Sequence, residues 1–196
     1  MDAGGDGGGE YSPKFVLLEE LGDDCISIGP RSFNVDIEGV TCGIGSLGED
    51  IALAAVKNIT VSGVSGVSFQ ETHNGVRIKT SKGRNSCATG ITFQNVKLDN
   101  VRNLVLIDQY YSPYGIPTKG NSGVKIRDVL YKKITGTSAT NVAIAFECSQ
   151  IVPCQEIKVE HINLRYNDGK EDAQFLCKNA HMTTVDASAV NPSPCL

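Results

Sequence analysis

A chain of 196 residues is long enough for one domain with a substantial core and short for two. Its 40% hydrophobic and 20% charged residues are ordinary for a soluble globular protein, and with no tryptophan the core must rest on valine, isoleucine and leucine. A net charge of −4 without any lysine or arginine run excludes a nucleic-acid surface, and no apolar run reaches the roughly 18 residues of a membrane span.

The start, MDAGGDGGGEYSPKF, is glycine-rich and acidic and lacks the cationic and apolar parts of a signal peptide. Lys14–Leu21 then spaces Phe15, Leu18 and Leu21 as a helix would. Residues 1–21 therefore read as an atypical segment, either a cap over the end of the neighbouring domain or unrelated sequence joined to it. Residues 22–196 read as one domain.

Gly22-Asp23-Asp24-Cys25 opens that domain. Adjacent carboxylates can titrate as a coupled pair, one protonated and one ionised, as acid–base hydrolysis requires. A regular strand would send them to opposite faces, so both reach a cleft only where the backbone bulges. A solvated acidic turn is the alternative reading.

From Phe33 onward one pattern repeats. Phe33–Thr41, Lys57–Phe69, Thr89–Val101, Ser122–Ile134 and Gln155–Leu164 each alternate apolar with polar residues, the period of a half-buried strand. Short second strands come after four of them, at Ile44–Leu47, Gly75–Lys79, Asn103–Ile107 and Asn141–Phe146. The first four segments recur every 24 to 33 residues or so, a solenoid interval, with asparagine and glycine at the corners and no amphipathic helix between. An all-β parallel β-helix is predicted. A β-sandwich is the runner-up, but its turn signals would come every 8–12 residues. The tail from Asp168 is predicted to be polar and looped.

Several motifs fall on these strands. The glycine-rich Gly43–Gly48 is not a phosphate cradle, because Glu49 and Asp50 stand where a lysine is required. Asn58-Ile59-Thr60 is a glycosylation sequon. Arg77 and Lys79 lie two apart, so a strand projects both from one face while Val76 and Ile78 point inward. Two fixed cations suit the carboxylates of an anionic polymer; a solubilising pair is the plain alternative. Asp108-Gln109-Tyr110-Tyr111 closes the next coil, where an exposed tyrosine can stack on a sugar ring or pack a coil edge. Seven cysteines without C-x-x-C spacing, and scattered histidines, favour disulfides with one odd thiol over a metal site.

In order, GDDCISIGP, VTCG with IGSLG, NGVRIKT, ITFQNV, LIDQYY, ITGTSAT and CSQIVPCQEI resemble the plant polygalacturonases of glycoside hydrolase family 28, from about Gly22 to the C-terminus. The resemblance implies a right-handed parallel β-helix, shortened at its N-terminal end, that hydrolyses α-1,4-galacturonan in pectin with inversion. It implies that Asp23 is the general acid and that Asp24 helps activate water. Arg77 and Lys79 would bind galacturonate carboxylates and Tyr111 would contact substrate. Cys25–Cys42, Cys148–Cys154 and Cys177–Cys195 would be disulfides, with Cys87 left over. The resemblance further implies a secreted, cell-wall monomer acting on pectin without a cofactor or metal, and with no nucleic-acid or membrane partner. Two family segments have no counterpart here: the N-T-D-G coil ahead of Gly22, and the G-H-G stretch between Gly43 and Ile44. Those departures keep open a catalytically impaired pectin-binding relative or an incomplete gene product.

Overall fold

The structure, a computed structural model, describes residues 33–38, 41–42, 55–63, 65–67, 74–81, 86–111, 122–166, 168–184 and 190–193. The predicted helix at Lys14–Leu21, the Asp23–Asp24 pair and the predicted strand Ile44–Leu47 lie outside the described residues. Among the described residues every regular element is a strand.

The described strands form two sheets. The larger carries β1 (Phe33–Glu38), β3 (Val56–Ser62), β6 (Cys87–Val101), β8 (Lys125–Ser138) and β10 (Cys154–Tyr166), paired in that order and all parallel. Short β2 (Thr41–Cys42) and β4 (Ser65–Val67) extend it onto β6. The second sheet is β5 (Asn74–Ser81), β7 (Asn103–Tyr111), β9 (Val142–Glu147) and β12 (Gln174–Lys178), also parallel. Sequence-adjacent segments thus alternate between sheets while like segments stack. Parallel pairing throughout these ladders is that of a β-helix and rules out the antiparallel sandwich.

The stack works because the apolar pattern repeats in register. Ile59, Ile91, Val129 and Ile157 are successive Cα partners and all are buried, as are Val61, Phe93, Tyr131 and Val159. Burying each such side chain stabilises by about 1.5–3 kcal/mol. A charge at Val129 would stand unpaired between Ile91 and Ile157, with several kcal/mol of desolvation against it.

Single left-handed residues turn the long strands around corners. Asn34, Asn58, Gly90, Asp128 and Glu156 occupy equivalent positions on successive coils, and every one has a positive φ between 54° and 66°. A second such row holds Gly63, Asn95, Lys133 and His161. Each resets the in–out alternation: in β6 the buried positions run Ile91 and Phe93 before Asn95, then Val96 and Leu98 after it. Asparagine suits these sites because its short side chain tolerates the left-handed region. It also bonds locally, and Asn58 Nδ2 donates to Asn34 Oδ1 at 3.0 Å. Gly136, at φ 153°, is required for space: an added Cβ would run into the carbonyl oxygen of Leu98.

An aromatic stack crosses the interior between the sheets. Ring centroids are 5.4 Å apart for Phe93–Tyr131, 5.5 Å for Tyr131–Phe146 and 5.1 Å for Phe146–Phe175. The Tyr131 hydroxyl is buried without a hydrogen-bond partner, and burial pushes its phenol pKa upward.

The expectation of a looped tail is overturned. β11 (Glu171–Asp172), β12, β13 (Ala180–Thr184) and β14 (Val190–Asn191) add a further coil, β12 to the second sheet and β13 and β14 onto β10. β12 is only five residues long, with Phe175 as its one buried inward anchor and apolar Leu176 exposed beside it, so its alternation is hard to see in the sequence. Cys148 and Cys154 form a disulfide, Cys177 is disulfide-bonded and Cys87 is free. The Cys25–Cys42 pair and Cys195 fall where side chains are not described.

Candidate functional site

The second sheet brings Arg77, Lys79 and Tyr111 together. Val76 and Ile78 are buried, so β5 presents Arg77 and Lys79 outward, as the spacing predicts. The neighbouring strand β7 aligns Leu106 with Arg77 and Asp108 with Lys79.

At the end of β7 the register slips: Lys79 pairs with Asp108, but Ser81, two residues on, pairs with Tyr111. That extra residue is a bulge, and it decides which side chains face out. Gln109 turns fully inward. Its Nε2 donates to the Val124 carbonyl at 2.8 Å, and its Oε1 accepts from the Ser149 N–H at 3.0 Å. One buried amide thus ties the end of β7 to both ends of the next coil, just before β8 and just after β9. Nearby, the buried hydroxyls of Thr80 and Ser122 lie 2.9 Å apart. With Gln109 inside, Tyr110 and Tyr111 are both left partly exposed.

The Tyr111 ring lies against two cations. Arg77 Cζ is 4.9 Å from its centroid and Lys79 Nζ 5.0 Å, within the range of attraction by the ring's negative face. Arg77 Nη2 donates to Asp108 Oδ2 at 2.7 Å, and the Tyr110 N–H donates to Asp108 Oδ1 at 2.9 Å. The Arg77 Nε is buried without a hydrogen-bond partner. The guanidinium is therefore fixed by Asp108 at one end and by the ring across its face.

A second cation–ring pair stands farther along. Lys178 Nζ lies 4.8 Å from the Tyr110 centroid, and the Tyr110 hydroxyl donates to the Cys148 carbonyl at 3.3 Å. Sequence reasoning missed this pair and the Arg77–Asp108 bond, since both join residues on different coils. The only advance signal was the fixed spacing of the strands.

Asp23 and Asp24 lie outside the described residues, as do His73 and the Gly43–Gly48 loop. Asn58 of the sequon is exposed, with its amide on Asn34. Among the described residues no cluster of histidine, cysteine or acidic side chains could hold a metal ion.

A family model described as glycosyl hydrolases family 28 matches residues 19–189. The chain belongs to that family. A polygalacturonase of Prunus persica is 46% identical over 89% of this chain, and an exopolygalacturonase of Platanus acerifolia 41% identical over 83%. These alignments cover 45% and 44% of the two relatives, so the chain spans less than half of their length. The crystal structure of an endo-xylogalacturonan hydrolase from Aspergillus tubingensis superposes with a TM-score of 0.68 at 23% identity, over 84% of this chain and 47% of that one. The family's right-handed parallel β-helix is accordingly the fold of this chain.

Proposed function

We propose that this chain is the galacturonan-binding and hydrolysing part of a polygalacturonase, acting on α-1,4-galacturonan in pectin. The observation that carries the reading is the cluster of Arg77, Lys79 and Tyr111 on one face of a family 28 β-helix. With Asp108 counted, the cluster bears a net charge of +1 and a ring, which suits a sugar that carries a carboxylate.

In this reading Lys79 meets a galacturonate carboxylate as a point charge and Tyr111 offers its ring and hydroxyl. Arg77, already held by Asp108, gives its remaining donors. Asp23 protonates the leaving glycosidic oxygen as general acid, and Asp24 helps activate the attacking water. Inversion needs those roles filled by carboxyl groups about 6.5–9.5 Å apart, leaving room for the water. In this reading the protein works outside the cell, in the wall, as a monomer.

Reducing-end release from polygalacturonate by the full chain tests this reading. Turnover lost in Asp23→Asn but not in an exposed-surface variant such as Lys125→Gln supports it. Saturable binding without turnover favours a pectin-binding relative. Neither binding nor turnover overturns both.

A further inference from the structure

The outward face of the second sheet changes character along its length. One register row runs Lys79, Asp108, Glu147, Lys178 from β5 through β7 and β9 to β12. The row beside it runs Arg77, Leu106, Ala145, Leu176. On β5 and β7 the face is rich in cations, with Arg77 and Lys79 beside the single carboxylate of Asp108. On β9 and β12 it is not: Glu147 is exposed and has no ion-pair partner among the described residues, and Lys178 lies over Tyr110. Beside Glu147 stand small Ala145 and Leu176, whose 50% exposure makes it one of the few large apolar side chains left open to solvent among the described residues.

We propose that Glu147 is a specificity-determining residue, and that the β9–β12 half of this face accepts a uronate whose carboxyl is esterified while the β5–β7 half takes an ionised one. This rests on the galacturonan-binding reading above. Successive strands are about 4.8 Å apart, comparable with one pyranose ring, so a polymer lying across the strands presents consecutive sugars to consecutive coils. An ionised carboxyl over β9 would meet the Glu147 carboxylate. An ester there removes the repulsion and lays its alkyl group against Ala145 and Leu176. The net charge of Glu147 with Lys178 is zero, so this half supplies no surplus attraction for a polyanion.

The experiment is calorimetric titration of the full chain with galacturonate oligomers of equal length, fully ionised or partly methyl-esterified. Glu147→Gln is expected to tighten binding of the ionised oligomer about three- to tenfold and leave the esterified one nearly unchanged, with the gain shrinking as salt is raised. Glu147→Lys should move the preference further in the same direction, so the order Glu, Gln, Lys gives a monotonic trend independent of any one variant's folding. An unchanged ratio of affinities across all three overturns the inference while Lys79-dependent binding stands. Failure of the parent chain to bind either oligomer overturns the galacturonan reading and this inference together.

Discussion

Arg77 Nη2 sits 2.7 Å from Asp108 Oδ2 across the β5–β7 pair, with the two side chains only 13% and 17% exposed. A charge-assisted bond that is this well shielded holds the guanidinium against the Tyr111 ring instead of leaving it to sweep through solvent. Asp108 accepts a second bond from the Tyr110 N–H, so the same carboxylate also fixes the bulge.

Removing either partner strands the other's charge in a partly desolvated place. Asp108→Ala and Arg77→Ala should each lower unfolding stability by about 1–3 kcal/mol. The double variant should lose less than the sum, leaving a coupling of about 1–2 kcal/mol in a cycle read by urea unfolding. Strict additivity would mean that the pair does not hold the site together.

Tyr131 behaves differently, because its hydroxyl is buried without a partner. Tyr131→Phe keeps the stack with Phe93 and Phe146 and removes a group whose desolvation is uncompensated, so stability should be unchanged or rise by up to about 1 kcal/mol. Tyr131→Ala should cost about 3–5 kcal/mol through the cavity it leaves. Burial raises the phenol's folded pKa, so the native state keeps its proton where the unfolded state has lost it. Unfolding stability is independent of this group below about pH 10 and falls as pH rises beyond that value, at about 1.4 kcal/mol per pH unit. Ultraviolet titration should find one tyrosine that ionises only on unfolding, and the Tyr131→Phe variant should lack it.

The strand pattern of the β-helix is legible because the apolar alternation survives each corner: Ile91 and Phe93, then Val96 and Leu98, are visible in the sequence either side of Asn95. The outward placement of Arg77 and Lys79 is legible for the same reason. What lies hidden depends on relations between coils. Arg77 and Asp108 are 31 residues apart, and only the register of β5 on β7 joins them. The joint exposure of Tyr110 and Tyr111 results from a bulge, which a strict period of two cannot show. β12 reads as loop in the sequence because Gln174–Lys178 is only five residues long and its Phe175, Leu176 and Cys177 run consecutively instead of alternating with polar residues.

Two glycines separate steric crowding from backbone strain. Gly136 has φ 153° and its Cβ position is filled by the Leu98 carbonyl, whereas Gly169 has φ 81° and open space around it. Gly169→Ala should cost about 1–2 kcal/mol, the strain of an L-residue in that region. Gly136→Ala must also push the Leu98 backbone out of the coil stack, and should cost about 3–5 kcal/mol. Thermal unfolding of the pair measures the difference; equal shifts would remove the steric argument.

Tyr111 provides the last test, because its ring and its hydroxyl can be removed separately. Tyr111→Phe keeps a ring beside Arg77 and Lys79, so both cations keep that contact and affinity for ionised galacturonate oligomers should fall about twofold or less. Tyr111→Ala removes the ring that both cations lie against. Lys79 then moves outward and loses the preset geometry, with affinity expected to fall about tenfold, or about 1.4 kcal/mol. The salt dependence should persist in both variants, since the charges remain. Tyr111→Phe binding as poorly as Tyr111→Ala would instead assign the contribution to the hydroxyl, and would recast Tyr111 as a hydrogen-bond donor to the sugar.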